Sequence, residues 1–155
     1  MNKIATSVLL IASIFLFVVE PSFAQPGGMM RWRGSSGWGG GTTYNRMYNP
    51  KTVETIDGEV ISIDRITPMG GMSSGVHLQV KTGKETISVH LGPQWYLENQ
   101  DIEIKPKDKV QITGSKIIFS GKPTIVAAQV KKGNTILTLR DENGLPLWSG
   151  CCRSF

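Results

Sequence analysis

Val76-His77-Leu78-Gln79-Val80-Lys81-Thr82-Gly83-Lys84-Glu85-Thr86-Ile87-Ser88-Val89-His90-Leu91 alternates apolar and polar side chains on both sides of Gly83-Lys84. Strict alternation marks a half-buried strand, and two such runs joined by a Gly-polar pair predict a β-hairpin with a type II′ turn, Gly83 taking the positive φ. In that register Val80 faces Ile87, Leu78 faces Val89 and Val76 faces Leu91, so all the aliphatic residues share one face. The other face pairs His77 with His90, Gln79 with Ser88 and Lys81 with Thr86. The two histidines of the chain are thus expected as cross-strand neighbours, their Cβ atoms about 5 Å apart on a polar, solvated face. A loop one residue longer would turn Ile87, Val89 and Leu91 outward, forfeiting about 1.5–3 kcal/mol for each.

Working outward, Thr55 to Ile66 places Ile56, Gly58 and Val60 on one phase and then shifts to Ile61 and Ile63, as a strand with a bulge or sharp bend does. Pro93 is suited to open a short helix over Gln94 to Gln100, whose Trp95, Tyr96 and Leu97 would plug one end of a barrel. Further strands are expected over Lys109 to Ser115, Pro123 to Lys131 and Thr135 to Arg140, with a turn at Asp141-Glu142-Asn143-Gly144. Three strands, a helix, two strands and an extra C-terminal strand is the order of a mainly β, five-stranded OB-fold-like barrel with an added arm. The domain is expected over residues 51–148, with a tail at 149–155.

The N-terminus reads as an export signal over residues 1–24: Lys3 gives the charge, Ile4 to Val19 are almost wholly apolar, and Ser22-Phe23-Ala24 offers a cleavage site before Gln25. An uncleaved anchor is the alternative, since the apolar run approaches the roughly 17 residues that span a bilayer. After the signal no further segment is apolar enough to cross, which predicts a periplasmic or secreted protein. Residues 25–50 are rich in Gly, Met, Arg and Trp without periodicity, the composition of a disordered leader; a sticky arm built on Trp32, Trp38 and their arginine neighbours is the functional alternative. The net charge is +5, part of it from Arg31, Arg33 and Arg46 in the leader, so the domain itself carries no strong footprint for nucleic acid. Cys151 and Cys152 are adjacent near the C-terminus, read as an incidental tail feature, an intermolecular disulfide or a soft metal ligand.

The chemistry on offer is modest. His77 and His90 could share a transition metal with Met72 and Met69 from the preceding loop as softer ligands, copper or iron being the candidate ions and copper favoured by thioether donors. Two histidines fall short of a closed site, and no Asp or Glu is expected beside them. Gln79, Lys81, Thr86 and Ser88 complete the candidate ligand face. Ser73 and Ser74 precede His77, yet no Gly-x-Ser-x-Gly, phosphate-binding glycine loop or paired carboxylates occur, so a binding module without catalysis is expected. No Cys-x-x-Cys-His is present, which excludes c-type haem attachment. The outer face of the second and third strands of an OB barrel that binds single strands carries aromatics; the face of the His77 to His90 hairpin has none, which argues against nucleic acid.

Gly71-Met72-Ser73-Ser74-Gly75-Val76-His77-Leu78, Val89-His90-Leu91-Gly92-Pro93-Gln94-Trp95-Tyr96-Leu97 and Val110-Gln111-Ile112-Thr113-Gly114-Ser115 together resemble the exported bacterial OB-fold proteins that include the domain of the magnetosome proteins MamS and MamX. The resemblance covers roughly Val53 to Trp148. It implies a periplasmic accessory role with a protein partner there, in some members tied to iron or redox work, and the missing haem motif sets this chain apart from MamX-like members. A binder of a polyanion or oligosaccharide is the alternative function.

Overall fold

The computed structural model describes residues 36–150; the expected export signal, the start of the expected leader, and Cys151 and Cys152 lie outside them. The strands are β1 (Val53–Ile66), β2 (Gly75–Lys81), β3 (Thr86–Pro93), β4 (Lys109–Phe119), β5 (Lys122–Lys132) and β6 (Thr135–Thr138), with the helix α1 (Gln94–Leu97) between β3 and β4. Their order in the sheet is β3-β2-β1-β4-β5-β6, and β3 also pairs in parallel with β5 through Ser88–Thr124 to His90–Val126. That pairing closes β1 to β5 into a ring, with β6 continuing from β5 as the added arm. A five-stranded barrel of this order and closure, with its helix after the third strand, is OB-like.

The hairpin register is the one the alternation dictates from His77↔His90 to Lys81↔Thr86. Leu78, Val80, Ile87 and Val89 are buried in the core with Val60, Ile112, Ile125 and Val130. Beyond His77 the pairing slips, so that Val76 faces Gly92 rather than Leu91. Leu91 still packs in the core, so the bulge lets the strand re-aim without losing that burial. The turn also differs from expectation. Gly83 is not among the glycines at positive φ; instead the Thr82 hydroxyl accepts from the backbone N–H groups of Lys84 and Glu85, at 3.2 and 3.1 Å. A threonine that satisfies the turn's own donors replaces the conformational freedom that a type II′ turn would have taken from glycine.

In β1 the phase change is real. The register against β2 shifts between Val60 and Ser62, Val60 is fully buried, and Ile63 packs on the core. Ile61, expected inward, is the extra residue and points to solvent. On the inner side Gly58 is required, because a Cβ there would lie 2.5 Å from Val80. The helix ends at Leu97, and hydrogen-bonded turns carry the chain through Asn99 and Gln100; Trp95, Tyr96 and Leu97 pack against the core, as expected of a plug. β6 ends at Thr138, short of Arg140.

The largest departure concerns the leader. Residues 36–50 were expected to be unordered, but Trp38 and Tyr44 are among the most buried side chains of the molecule, joined by short 3-10 turns at Asn45–Met47 and Pro50–Thr52. The order comes from contacts distant in sequence. Trp38 Nε1 donates to the Ser73 carbonyl at 3.1 Å, Trp148 Nε1 donates to the Trp38 carbonyl at 2.9 Å, and the Asn45 amide donates to the carbonyls of Trp38 and Gly39, each at 2.8 Å. Arg140, itself buried, donates to Asn45 Oδ1 at 2.7 Å and to the Gly144 carbonyl at 3.1 Å, its guanidinium lying over the rings of Tyr48 and Trp148.

Candidate functional site

The outer face of β2 and β3 is divided. Near the turn, Lys81 and Thr86 are exposed and Gln79 and Ser88 half-buried. Toward the other end, His77 and His90 are each only 2% exposed, which corrects the expectation of a solvated pair. The leader covers them: Tyr44 lies nearly parallel to the His90 ring, its hydroxyl 2.8 Å from His90 Nδ1, and Phe119 at the end of β4 meets the same ring edge-on at 4.9 Å. Trp38 reaches this cover because position 75 is glycine, where a Cβ would lie 2.6 Å from the indole.

The two imidazoles are stacked, centroids 3.6 Å apart and planes 13° from parallel. Burial pushes the His77 pKa down to about 4, with the Asp64 carboxylate opposing. Burial and the neighbouring His77 push His90 down to about 3. Both rings are therefore neutral at ordinary pH. Burial raises the Tyr44 phenol above its usual range, partly offset by Arg140, so it stays protonated. Between two neutral partners the more acidic phenol is the better donor, which places its proton on the bond to Nδ1 and the ring proton of His90 on Nε2. His77 Nε2 is buried without a hydrogen-bond partner.

This geometry decides what the histidines can do as they stand. A metal sits along the in-plane lone pair of an imidazole nitrogen at about 2.0–2.1 Å. Stacked rings aim their lone pairs side by side rather than at one point. Met69 and Met72 are half-buried against the core, and the turn at Gly37 presses on Met72, whose Cγ would be 2.9 Å from a Cβ there. Among the described residues no group of three or more His, Cys, Asp or Glu is placed to hold an ion.

Sequence reasoning missed three participants, Asp64, Tyr44 and Phe119, the last lying beyond Ser115, where the fourth strand was expected to end. Asp64 pairs with His77 across β1 and β2; its place was readable once the bulge after Val60 is counted into the register. Tyr44 lies 46 residues from His90 in a segment without periodicity, so no local signal marks it.

The fold and this divided face define an OB-type module. A family model for the MamS/MamX magnetosome protein family matches residues 52–137, and the chain belongs to that family. No curated protein matches the chain. Among solved structures it is similar to a chain of a replication protein A heterotrimer bound to ssDNA, at 19% identity and a TM-score of 0.41, covering 54% of this chain and 59% of that one. It is also similar to a chain of the S. pombe Stn1-ten1 complex, at 16% identity and a TM-score of 0.40, covering 68% and 81%. The chain thus spans under two thirds of the first of these, and the barrel assignment rests on its own strand order and closure. Among the described residues no helix is long and apolar enough to cross a membrane.

Proposed function

We propose that the mature protein is an exported, non-catalytic binding module that serves a metal- or redox-related periplasmic system through a protein partner, met at the turn half of the β2–β3 face. The division of that face supports this reading. OB barrels usually present their ligand surface there, and the leader has taken the half over His77 and His90, leaving Gln79, Lys81, Thr86 and Ser88 open. These side chains are polar and lack the aromatic platforms on which single-stranded bases stack.

A photo-crosslinking residue at Thr86 in the full-length chain, expressed in its host, tests this. The reading predicts an adduct with one periplasmic protein, lost on adding Lys81→Glu. No adduct, or the same adducts from the exposed Ile136 on β6, contradicts it. Mature protein beginning at Gln25 is the corresponding expectation for export. The alternative, a polyanion or oligosaccharide ligand, predicts binding that weakens with salt and with Lys81→Ala.

A metal is a second reading, favoured by one observation: the buried, unpartnered Nε2 of His77. Copper or iron held there by His77 and His90 would require one ring to turn out of the stack and the ring proton of His90 to sit on Nδ1, donating to the Tyr44 oxygen and leaving Nε2 for the ion, with Met69 or Met72 adding a soft donor. Titration with Cu(I) and Fe(II) decides it: binding lost in His77→Ala and His90→Ala supports the site, and no binding, or binding unchanged in both, contradicts it.

A further inference from the structure

We propose that Trp95, Tyr96, Trp148, Trp38 and Tyr44 form a continuous chain of oxidisable rings that carries a one-electron oxidising equivalent from the half-buried helix α1 to the buried Tyr44. The proposal is independent of what the open face binds.

Successive ring centroids along the chain are 6.1 Å from Trp95 to Tyr96, 5.4 Å from Tyr96 to Trp148, 6.2 Å from Trp148 to Trp38 and 5.1 Å from Trp38 to Tyr44. These are van der Waals contacts between aromatic edges and faces, close enough for an electron to move ring to ring. Tryptophan and tyrosine are the side chains that a one-electron oxidant attacks most readily besides cysteine and methionine. Trp95 and Tyr96 are partly exposed, whereas Trp38, Tyr44 and Trp148 are buried, so the path has an outer entrance and an enclosed end.

The end differs from the steps before it. Oxidising a phenol makes its proton strongly acidic, and a tyrosyl radical becomes a stable resting place only where a base takes that proton. Tyr44 has such a base at 2.8 Å in His90 Nδ1. An electron leaves Tyr44 to fill the hole on Trp38, the phenolic proton moves along the existing hydrogen bond to His90, and the products are a neutral tyrosyl radical, an imidazolium and a restored Trp38. The electron is finally taken at Trp95 or Tyr96 by a soluble, outer-sphere, one-electron oxidant. Arg140, with its guanidinium 5.2 Å from the Trp148 ring centroid, disfavours a lasting positive charge on Trp148, so that ring is a transit point. The Trp38 and Trp148 indole N–H groups donate to backbone carbonyls, which supports the transient radical cations.

The test is flash photolysis of the full-length protein with a photogenerated ruthenium(III) polypyridyl oxidant, followed by transient absorption and electron paramagnetic resonance. A tryptophan radical is expected first and a tyrosyl radical after it, the second step slowing in D2O. Tyr44→Phe should abolish the tyrosyl phase that follows the tryptophan radical and slows in D2O, and leave a tryptophan radical. Trp148→Phe keeps an aromatic ring in the packing but interrupts the chain, and should delay or remove the Tyr44 signal. A tyrosyl signal that grows in after the tryptophan radical and survives Tyr44→Phe, or one unchanged in rate and yield in Trp148→Phe, overturns the proposal. Thermal unfolding of both variants checks that they are folded, and the D2O comparison on the unaltered chain needs no substitution; a tyrosyl step without isotope dependence also counts against it.

Discussion

The two halves of the hairpin's outer face share strands, register and a common pattern of polar residues, yet one half is open and the other is sealed. Lys81 and Thr86 keep the solvent that alternation promises them, and Gln79 and Ser88 keep part of it. His77 and His90, which continue the same rows, are buried and stacked, and Tyr44 and Phe119 close over the His90 ring. The pattern within a strand fixes which face a side chain takes; whether that face meets water depends on segments elsewhere in the chain.

The contrast should appear most strongly in stability. Trp38→Ala removes a fully buried indole together with its bond to the Ser73 carbonyl, and is expected to cost about 3–5 kcal/mol in denaturant unfolding. Thr86→Ala on the open half should stay within about 0.5 kcal/mol. Comparable losses at the two positions would erase the distinction.

Acid is the next lever. The folded pKa values of both histidines are depressed, to about 4 and about 3, so the unfolded chain binds protons first as pH falls. Their contribution to stability is complete above the ordinary value of 6.5 and is lost progressively as pH falls from there toward the folded values, each unit of depression representing about 1.4 kcal/mol. Unfolding midpoints measured from pH 7.5 to 4.5 should fall steeply, and replacing both histidines by leucine should flatten that limb. An equally steep limb in the double variant would place the acid sensitivity elsewhere.

Smaller effects separate the roof from the turn. Tyr44→Phe keeps the ring and strands His90 Nδ1 without its partner, an expected loss of about 1–3 kcal/mol. Thr82→Val removes the hydroxyl that holds the turn and should cost about 0.5–1.5 kcal/mol, measured by thermal unfolding. A larger penalty for Thr82 than for Tyr44 would mean that the open end of the hairpin, not the sealed one, governs its stability.

These regions also mark how far the sequence could be read. Barrel order, the His77↔His90 register and the bend after Val60 were legible because each follows from alternation, in which a side-chain period of two leaves a single consistent pairing. The mechanism of the turn was not, since Gly83 satisfies the pattern for one turn type while Thr82 supplies the hydrogen bonds of another. The leader was illegible for a different reason. Its glycines and lack of period describe a chain with no local preference, and its order is imposed by Trp148, Arg140 and Ser73, some 35 to 110 residues away. The sealed histidine site inherits that illegibility, because its roof is the leader.

The central claim is that residues of the leader bury a neutral histidine pair on an OB-type face, and nuclear magnetic resonance titration of the two imidazoles in the full-length chain tests it most directly. The account predicts that neither ring titrates between pH 8 and pH 5, and that Tyr44→Ala brings at least His90 back toward its ordinary value. Two imidazoles titrating near 6.5 in the unaltered protein, as they would on an open sheet face, would contradict it.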